Sequence, residues 1–266
     1  MNREHPFDWS LARQLATYSE YAYRHATVRD AATDAEALVT LVPGGVVVAF
    51  KGSAEPQDFL QDAKFQMELL AYTRHNAAAP CKACVHRGFL EDFSALNVAL
   101  VAQVRASLLT AAKVSPNPKV YFTGHSLGGA LAVLSALEFA RQGFPVAAVI
   151  TFGQPRVGNA AFRDLYNATP VIGSGKLGAT LGDITHHVIN ADDPVPLSPP
   201  LLFGYRDEGN EVYLPRACGG GYLVNPSIGL TLFSDVLGAF AAWRQRQLAF
   251  LPQHFMKAYL ERIQLA

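Results

Sequence analysis

The residues with the most evident chemical potential are Gly124-His125-Ser126-Leu127-Gly128-Gly129. They form a G-x-S-x-G motif between an apolar strand pattern, Val120-Tyr121-Phe122, and an apolar helix pattern, Ala130-Leu131-Ala132-Val133-Leu134. A serine on a sharp strand-to-helix turn presents its hydroxyl for attack on a carbonyl, and glycines two residues either side let strand and helix nearly touch. The hydroxyl is a weak nucleophile until a base takes its proton, and the base needs a carboxylate to orient it. On such an elbow the partners follow in the order Ser, Asp or Glu, His. Of eight histidines only His254 lies well past the motif and the later strand patterns; His5, His25, His75 and His86 precede it. His125 adjoins the serine, and His186 and His187 sit inside a strand pattern. His254, opening a predicted helix over 255–263, is the candidate base. For the acid, Asp192 and Asp193 follow the strand pattern 186–190, at a strand's C-terminal end where catalytic loops of open α/β sheets gather. Local physics leaves both open. Asp183, Asp207, Glu208 and Glu211 fall in turn-like sequence and read as solvated.

The elements that must hold these groups alternate in period. Phe7, Leu11, Leu15, Tyr18 and Ala22 share one face of a first helix. Two β-branched runs, 37–42 and 46–50, flank Pro43-Gly44-Gly45 and read as a hairpin. Phe89, Phe93, Leu96, Leu100, Val104 and Leu108 trace a helical core stripe. Strand 119–123, helix 129–141, strand 146–152, a helix near 160–166 and strand 186–190 then imply βαβ units and a mostly parallel sheet with helices on both faces. One α/β domain over 1–266 accounts for the chain, with 197–222 its least regular stretch.

Composition removes other classes. The 266 residues carry 22 Lys+Arg against 22 Asp+Glu, and half are hydrophobic. This excludes a disordered chain and leaves no basic footprint for nucleic acid. Three cysteines are too few for a disulfide framework, the first residues lack an apolar export segment, and the longest apolar run, 228–243, is too short to span a bilayer. These features predict a soluble, cytoplasmic protein. His75, Cys81, Cys84 and His86 match no common zinc module, and Gly219-Gly220-Gly221 lacks the features of a phosphate loop, so no metal or cofactor is expected. Cys81 and Cys84 are expected as a local disulfide or two free thiols.

Together these motifs resemble the class 3 lipases, fungal-lipase-like α/β-hydrolases. The resemblance rests on Ala49-Phe50-Lys51-Gly52-Ser53, Val85-His86-Arg87-Gly88-Phe89, the segment 123–132 around Ser126, Thr151-Phe152-Gly153-Gln154-Pro155-Arg156-Val157-Gly158-Asn159, and Val188-Ile189-Asn190-Ala191-Asp192-Asp193-Pro194-Val195-Pro196. It implies an α/β-hydrolase fold and a carboxylic-ester hydrolase of Ser126, Asp193 and His254, acting on acyl esters such as triacylglycerols through an acyl-enzyme. It selects Asp193 over Asp192 as the acid. It also implies an oxyanion hole of the Leu127 N–H and Ser53. Lys51 departs from the family, where Arg precedes that glycine. Phospholipase, feruloyl-type and short-chain esterases share the same parts, and a non-catalytic interaction module is the alternative outside enzymes. The resemblance further implies a lipid substrate, transient contact with a lipid interface, and a lid after the oxyanion strand. Residues 54–83 would hold that lid; 228–243, with Ile228, Leu232, Val236 and Phe240 at four-residue steps, is the favoured cover of an acyl site.

Overall fold

The computed structural model describes residues 7–53, 66–70, 82–191, 193–215, 223–224 and 251–265. Asp8 caps the first helix, α1 (Trp9–His25), by accepting the Leu11 N–H at 3.0 Å. The helix buries Ala12, Leu15, Ala16, Ser19 and Ala22; of the predicted stripe Leu15 and Ala22 are among them, while Leu11 and Tyr18 pack partly buried against the same core. After β1 (Val28–Arg29) comes the expected hairpin, β2 (Glu36–Val42) and β3 (Gly45–Phe50), paired antiparallel around Gly44, whose φ of 82° suits glycine. Every residue of β3 is buried, as a strand covered on both faces requires.

Short strands β4 (Met67–Leu69) and β5 (Cys84–His86) lead into α2 (Arg87–Ala111). By length and composition α2 is apolar enough to cross a membrane. Here its Phe89, Leu96, Leu100 and Val104 pack into the core instead. Then follow β6 (Lys119–His125), α3 (Leu127–Arg141), β7 (Val146–Phe152), β8 (Gly158–Asn159), α4 (Ala160–Ala168), α5 (Leu181–Ile184) and β9 (Thr185–Asn190). Beyond 3-10 turns at Val195–Leu197 and Leu201–Phe203 lie β10 (Tyr205–Arg206), β11 (Asn210–Leu214), β12 (Leu223–Val224), a further 3-10 turn at Leu251–Gln253 and α6 (Met256–Leu265).

The main sheet has eight strands in the order β1-β2-β3-β6-β7-β9-β11-β12. From β3 to β11 neighbouring strands run parallel. One core packs α2 and α3 on one face of the sheet; a second packs α1 and α6 on the other. The mostly parallel sheet with helices on both faces is therefore as expected. One expectation needs correction: 210–214, inside the stretch read as irregular, is a central-sheet strand. Only Val212 and Leu214 of its five residues are buried, too few for a visible period, and its place depends on pairing with β9 from Asn210↔His186 to Leu214↔Asn190. Residues 228–243 and most of 54–83 lie outside the described residues.

Leu100 is wholly buried between α2 and the sheet. Leu100→Ala is expected to cost about 2–5 kcal/mol in denaturant titration, through lost transfer energy and a residual cavity. Turnover per folded molecule should not change, because α2 carries none of the candidate groups.

Candidate active site

Ser126 directly follows β6 and caps α3 with φ 56° and ψ −130°, a strained conformation for a residue with a side chain. Its neighbours enforce it. A Cβ on Gly124 would overlap the Gly128 carbonyl, and a Cβ on Gly128 would overlap the Phe50 carbonyl of β3. On Gly129 it would stand 2.8 Å from the Gln154 Cβ. The elbow therefore exists because three side chains are missing. The Ser126 N–H donates to Phe152 O at 2.9 Å, and Gly129 N–H returns to Ser126 O at 2.9 Å, fixing the turn between sheet and helix.

Asp193 lies beyond the C-terminal end of β9 and is buried. Its carboxylate accepts three groups: Val195 N–H on Oδ1 at 2.9 Å, His254 Nδ1 at 2.8 Å from Oδ2, and the Tyr259 hydroxyl on Oδ2 at 2.5 Å. With Nδ1 donating to a carboxylate, His254 carries its basic lone pair on Nε2. That atom is buried and has no hydrogen-bond partner among the described residues. Asp193 and His254 are thus brought together, while the Ser126–His254 hydrogen bond is not closed. Such links commonly tighten only once substrate binds. The ring of His125, next to the serine, lies 4.6 Å from the His254 ring. Gly153, at φ 59°, explains the glycine of its motif: a Cβ there would sit 2.7 Å from Asp193 Oδ2 and 3.0 Å from His254 Nδ1. Asp192, the alternative acid, lies outside the described residues.

Leu127 opens α3, so its N–H is one of the helix's unpaired first-turn donors. The turn after β3 approaches from the other side, where a Cβ on Gly52 would come 3.1 Å from Ser126 Cβ; Ser53 follows directly. Lys51, where the family pattern has Arg, points to Asp34 and Glu36 at 3.3 and 3.5 Å. Of the cysteine–histidine group, His75 and Cys81 lie outside the described residues, and Cys84 is a free thiol.

The sequence reading missed several groups. Tyr259 was visible only as an apolar position of the last helix, and His125 only as the neighbour of the serine. Of the acidic residues read as solvated, Asp183 is exposed as expected and closes a capping box at α5. Two need correction: Asp207 pairs with the buried Arg156 at 3.0 Å. Glu208 is 1% exposed and accepts from Gln154 Nε2 at 2.7 Å. Each partner is distant in sequence or set by local geometry that charge patterning does not reveal.

A class 3 lipase family model matches residues 47–203, more than half of the chain. The chain belongs to the class 3 lipase family. It is 32% identical over 169 residues to the secreted mono- and diacylglycerol lipase 1 of Fusarium solani, covering 64% of this chain and 44% of that protein. It is 30% identical over 185 residues to the secreted mono- and diacylglycerol lipase 2 of Gibberella zeae, covering 64% and 43%. The matched part of this class 3 lipase thus spans less than half the length of these curated relatives. A solved triacylglycerol lipase, described as having a catalytic centre formed by a serine protease triad, aligns with a TM-score of 0.64 at 22% identity, over 88% of this chain and 91% of that one. The fold is the α/β-hydrolase fold of the fungal lipases. The cytoplasmic expectation is overturned by these relatives, which are secreted lipases. Its grounds were weak physically, since three cysteines are compatible with either redox compartment.

A small cavity is lined by Gln154, Pro155, His187, Ile189, Pro196, Asp207, Glu208 and Glu211. Burial, reinforced by the Asp207 charge, pushes the Glu208 carboxyl up to about 8. Burial also lowers His187 to about 4. Glu208 keeps its proton when folded but loses it near its ordinary acid range when unfolded. Its contribution to stability is therefore fully present at low pH and is lost as pH rises toward 8. Glu208→Gln removes this titration, so its stability relative to the parent chain should increase between pH 5 and 8 in denaturant titrations. A gap that does not widen would mean that Glu208 is ionised in the fold. At the candidate triad, Asp193→Asn should lower kcat by about 10³–10⁴, because an amide no longer stabilises the imidazolium or fixes the tautomer. Asp192→Asn should cost far less; the reverse order would move the acid to Asp192.

Proposed function

We propose that this class 3 lipase is a serine carboxylic-ester hydrolase acting on acylglycerol-type lipid esters, and that residues 1–266 form one catalytic unit. The observation that carries the reading is the buried Asp193–His254 pair beside a serine held at positive φ. Ser126 on a strand-to-helix elbow, followed in the chain by Asp193 and then His254, matches the requirements of acyl transfer and of few other reactions. The names of the relatives supply the substrate class.

In this reading Ser126 Oγ attacks the ester carbonyl as His254 Nε2 takes its proton. The carbonyl oxygen becomes an oxyanion facing the Leu127 N–H and Ser53, and Asp193 stabilises the imidazolium. The imidazolium gives its proton to the leaving alkoxide, releasing the alcohol and an acyl-Ser126 ester. Water, deprotonated by His254, then attacks that ester; its collapse releases the acid and returns the proton to Ser126. Losing one oxyanion donor in such a site typically costs about a hundredfold to a thousandfold in rate. Leu197, Leu201, Leu202 and Phe203, which follow the acid, supply apolar surface for an acyl chain. Leu202 and Phe203 are exposed, as contact with a lipid surface requires.

A panel of p-nitrophenyl esters from acetate to palmitate tests the proposal. Activity should rise from acetate to medium or long chains, since each buried methylene contributes on the order of 0.8 kcal/mol. Ser126→Ala should abolish turnover on every ester. Undiminished turnover in that variant would refute the proposal, and a maximum at acetate would make the protein a short-chain esterase.

A further inference from the structure

The histidine of the motif, His125, is one residue from the nucleophile yet has no part in the reaction just described. It is buried, and both ring nitrogens are engaged. Nε2 lies 2.5 Å from the backbone carbonyl of His254, and Nδ1 lies 2.7 Å from the Tyr23 hydroxyl of α1. A carbonyl oxygen can only accept, so Nε2 must carry the hydrogen and, in a neutral ring, Nδ1 must accept. The Tyr23 hydroxyl then donates its hydrogen to Nδ1. The Gly52 backbone packs on the same hydroxyl: a Cβ there would stand 2.4 Å from the Tyr23 oxygen, and Ser53 follows directly. Both hydrogen bonds run in one direction, from the Tyr23 O–H to His125 Nδ1 and from His125 Nε2–H to the His254 carbonyl.

We propose that Tyr23 and His125 are positioning residues that lock the oxyanion turn at Gly52-Ser53 and the backbone of the base His254 to the nucleophile elbow. The inference rests on the hydrolase reading above. The line joins three chain segments far apart in sequence where they meet at the serine: α1 packed on the oxyanion turn, the elbow, and the backbone of the base. A misplacement of about 1 Å in such a site is enough to cost up to about a hundredfold in rate. The network needs a neutral His125. An imidazolium would place a second N–H against the Tyr23 hydroxyl and leave its hydrogen without an acceptor. Burial, with the neighbouring His254 opposing a second positive charge, holds His125 well below the ordinary histidine range. The tight fit at Gly52, where a Cβ would crowd the His125 carbonyl at 2.6 Å as well as the Tyr23 hydroxyl, leaves the turn no room for another residue.

The test compares Tyr23→Phe, which deletes the hydroxyl, with His125→Asn, whose amide reaches the Nδ1 position but not the His254 carbonyl. Tyr166→Phe serves as control; it deletes a buried hydroxyl that bonds Thr185, at the opposite end of β9 from Asp193. Tyr23→Phe and His125→Asn are each expected to lower kcat about tenfold with KM within about twofold, since neither touches substrate. The double variant should lose little more than the worse single, because both cut one line. Tyr166→Phe should lower stability and leave kcat in place. Unchanged kcat in a folded Tyr23→Phe, equal loss in Tyr166→Phe, or losses that multiply would overturn the proposal. Nitrogen-15 NMR of the imidazoles probes the same line without requiring turnover. It should show His125 as the neutral Nε2–H tautomer, with the His254 signals moving on Tyr23→Phe. A proton on Nδ1 of His125, or unmoved His254 signals, overturns the relay even if the chain hydrolyses no ester, an outcome that would refute only the functional reading.

Discussion

The structure depends on a steric constraint: β6, α3 and the end of β3 converge so closely that no β-carbon fits at Gly124 or Gly128. This closeness forces Ser126 to φ 56° and sets its hydroxyl at the rim of the sheet. It also brings Phe50 of β3 against the first turn of α3, so that Gly52 and Ser53 arrive beside the serine rather than a turn away. A larger residue at either glycine would push the helix off the strand and separate Ser126 from the Gly52-Ser53 turn. The strain at Ser126 is sustained by the cores on both faces of the sheet, in which β3, β6 and β7 are almost wholly buried.

Onto this rigid elbow the chain hangs a set of buried polar groups whose worth is orientation more than stability. Desolvating a carboxylate and an imidazole together costs several kcal/mol per ion before any attraction is recovered, so a buried pair is weak evidence for stability. Asp193 offsets that cost by accepting three hydrogen bonds, from His254, Tyr259 and Val195. The consequence is a His254 ring with one defined tautomer, its Nε2 without a hydrogen-bond partner among the described residues. The cavity lined by Gln154, His187 and Glu208 follows a different logic. There Glu208 stays in the fold as a neutral acid, bonded by Gln154, with His187 held neutral beside it.

What was legible in the sequence follows from the range of the interactions. Ser126 is legible as the candidate nucleophile because the elbow is local: strand, glycines and helix occupy one continuous stretch. His254 is legible as the candidate base because chain order leaves no other histidine in the right interval. Local physics does not separate Asp193 from Asp192, since two adjacent aspartates share the same sequence surroundings. Strand β11 escaped because its five residues carry too little alternation, and its partner β9 lies some twenty residues earlier. Tyr23, Tyr259 and Glu208 escaped because their partners are distant in sequence: Tyr23 meets His125 across 102 residues, Tyr259 meets Asp193 across 66, and Glu208 meets Gln154 across 54. A tyrosine on an amphipathic helix has the same pattern whether its hydroxyl meets solvent or a catalytic carboxylate.

The central claim is that Ser126, activated by the Asp193–His254 pair, is the nucleophile. It is tested most directly by reacting the folded protein with a p-nitrophenyl alkylphosphonate and locating the adduct by intact-mass and peptide mass spectrometry. The account predicts one adduct per chain, on Ser126, formed far more slowly when His254 is replaced by alanine. An adduct on another residue, or none on a folded chain, would contradict it.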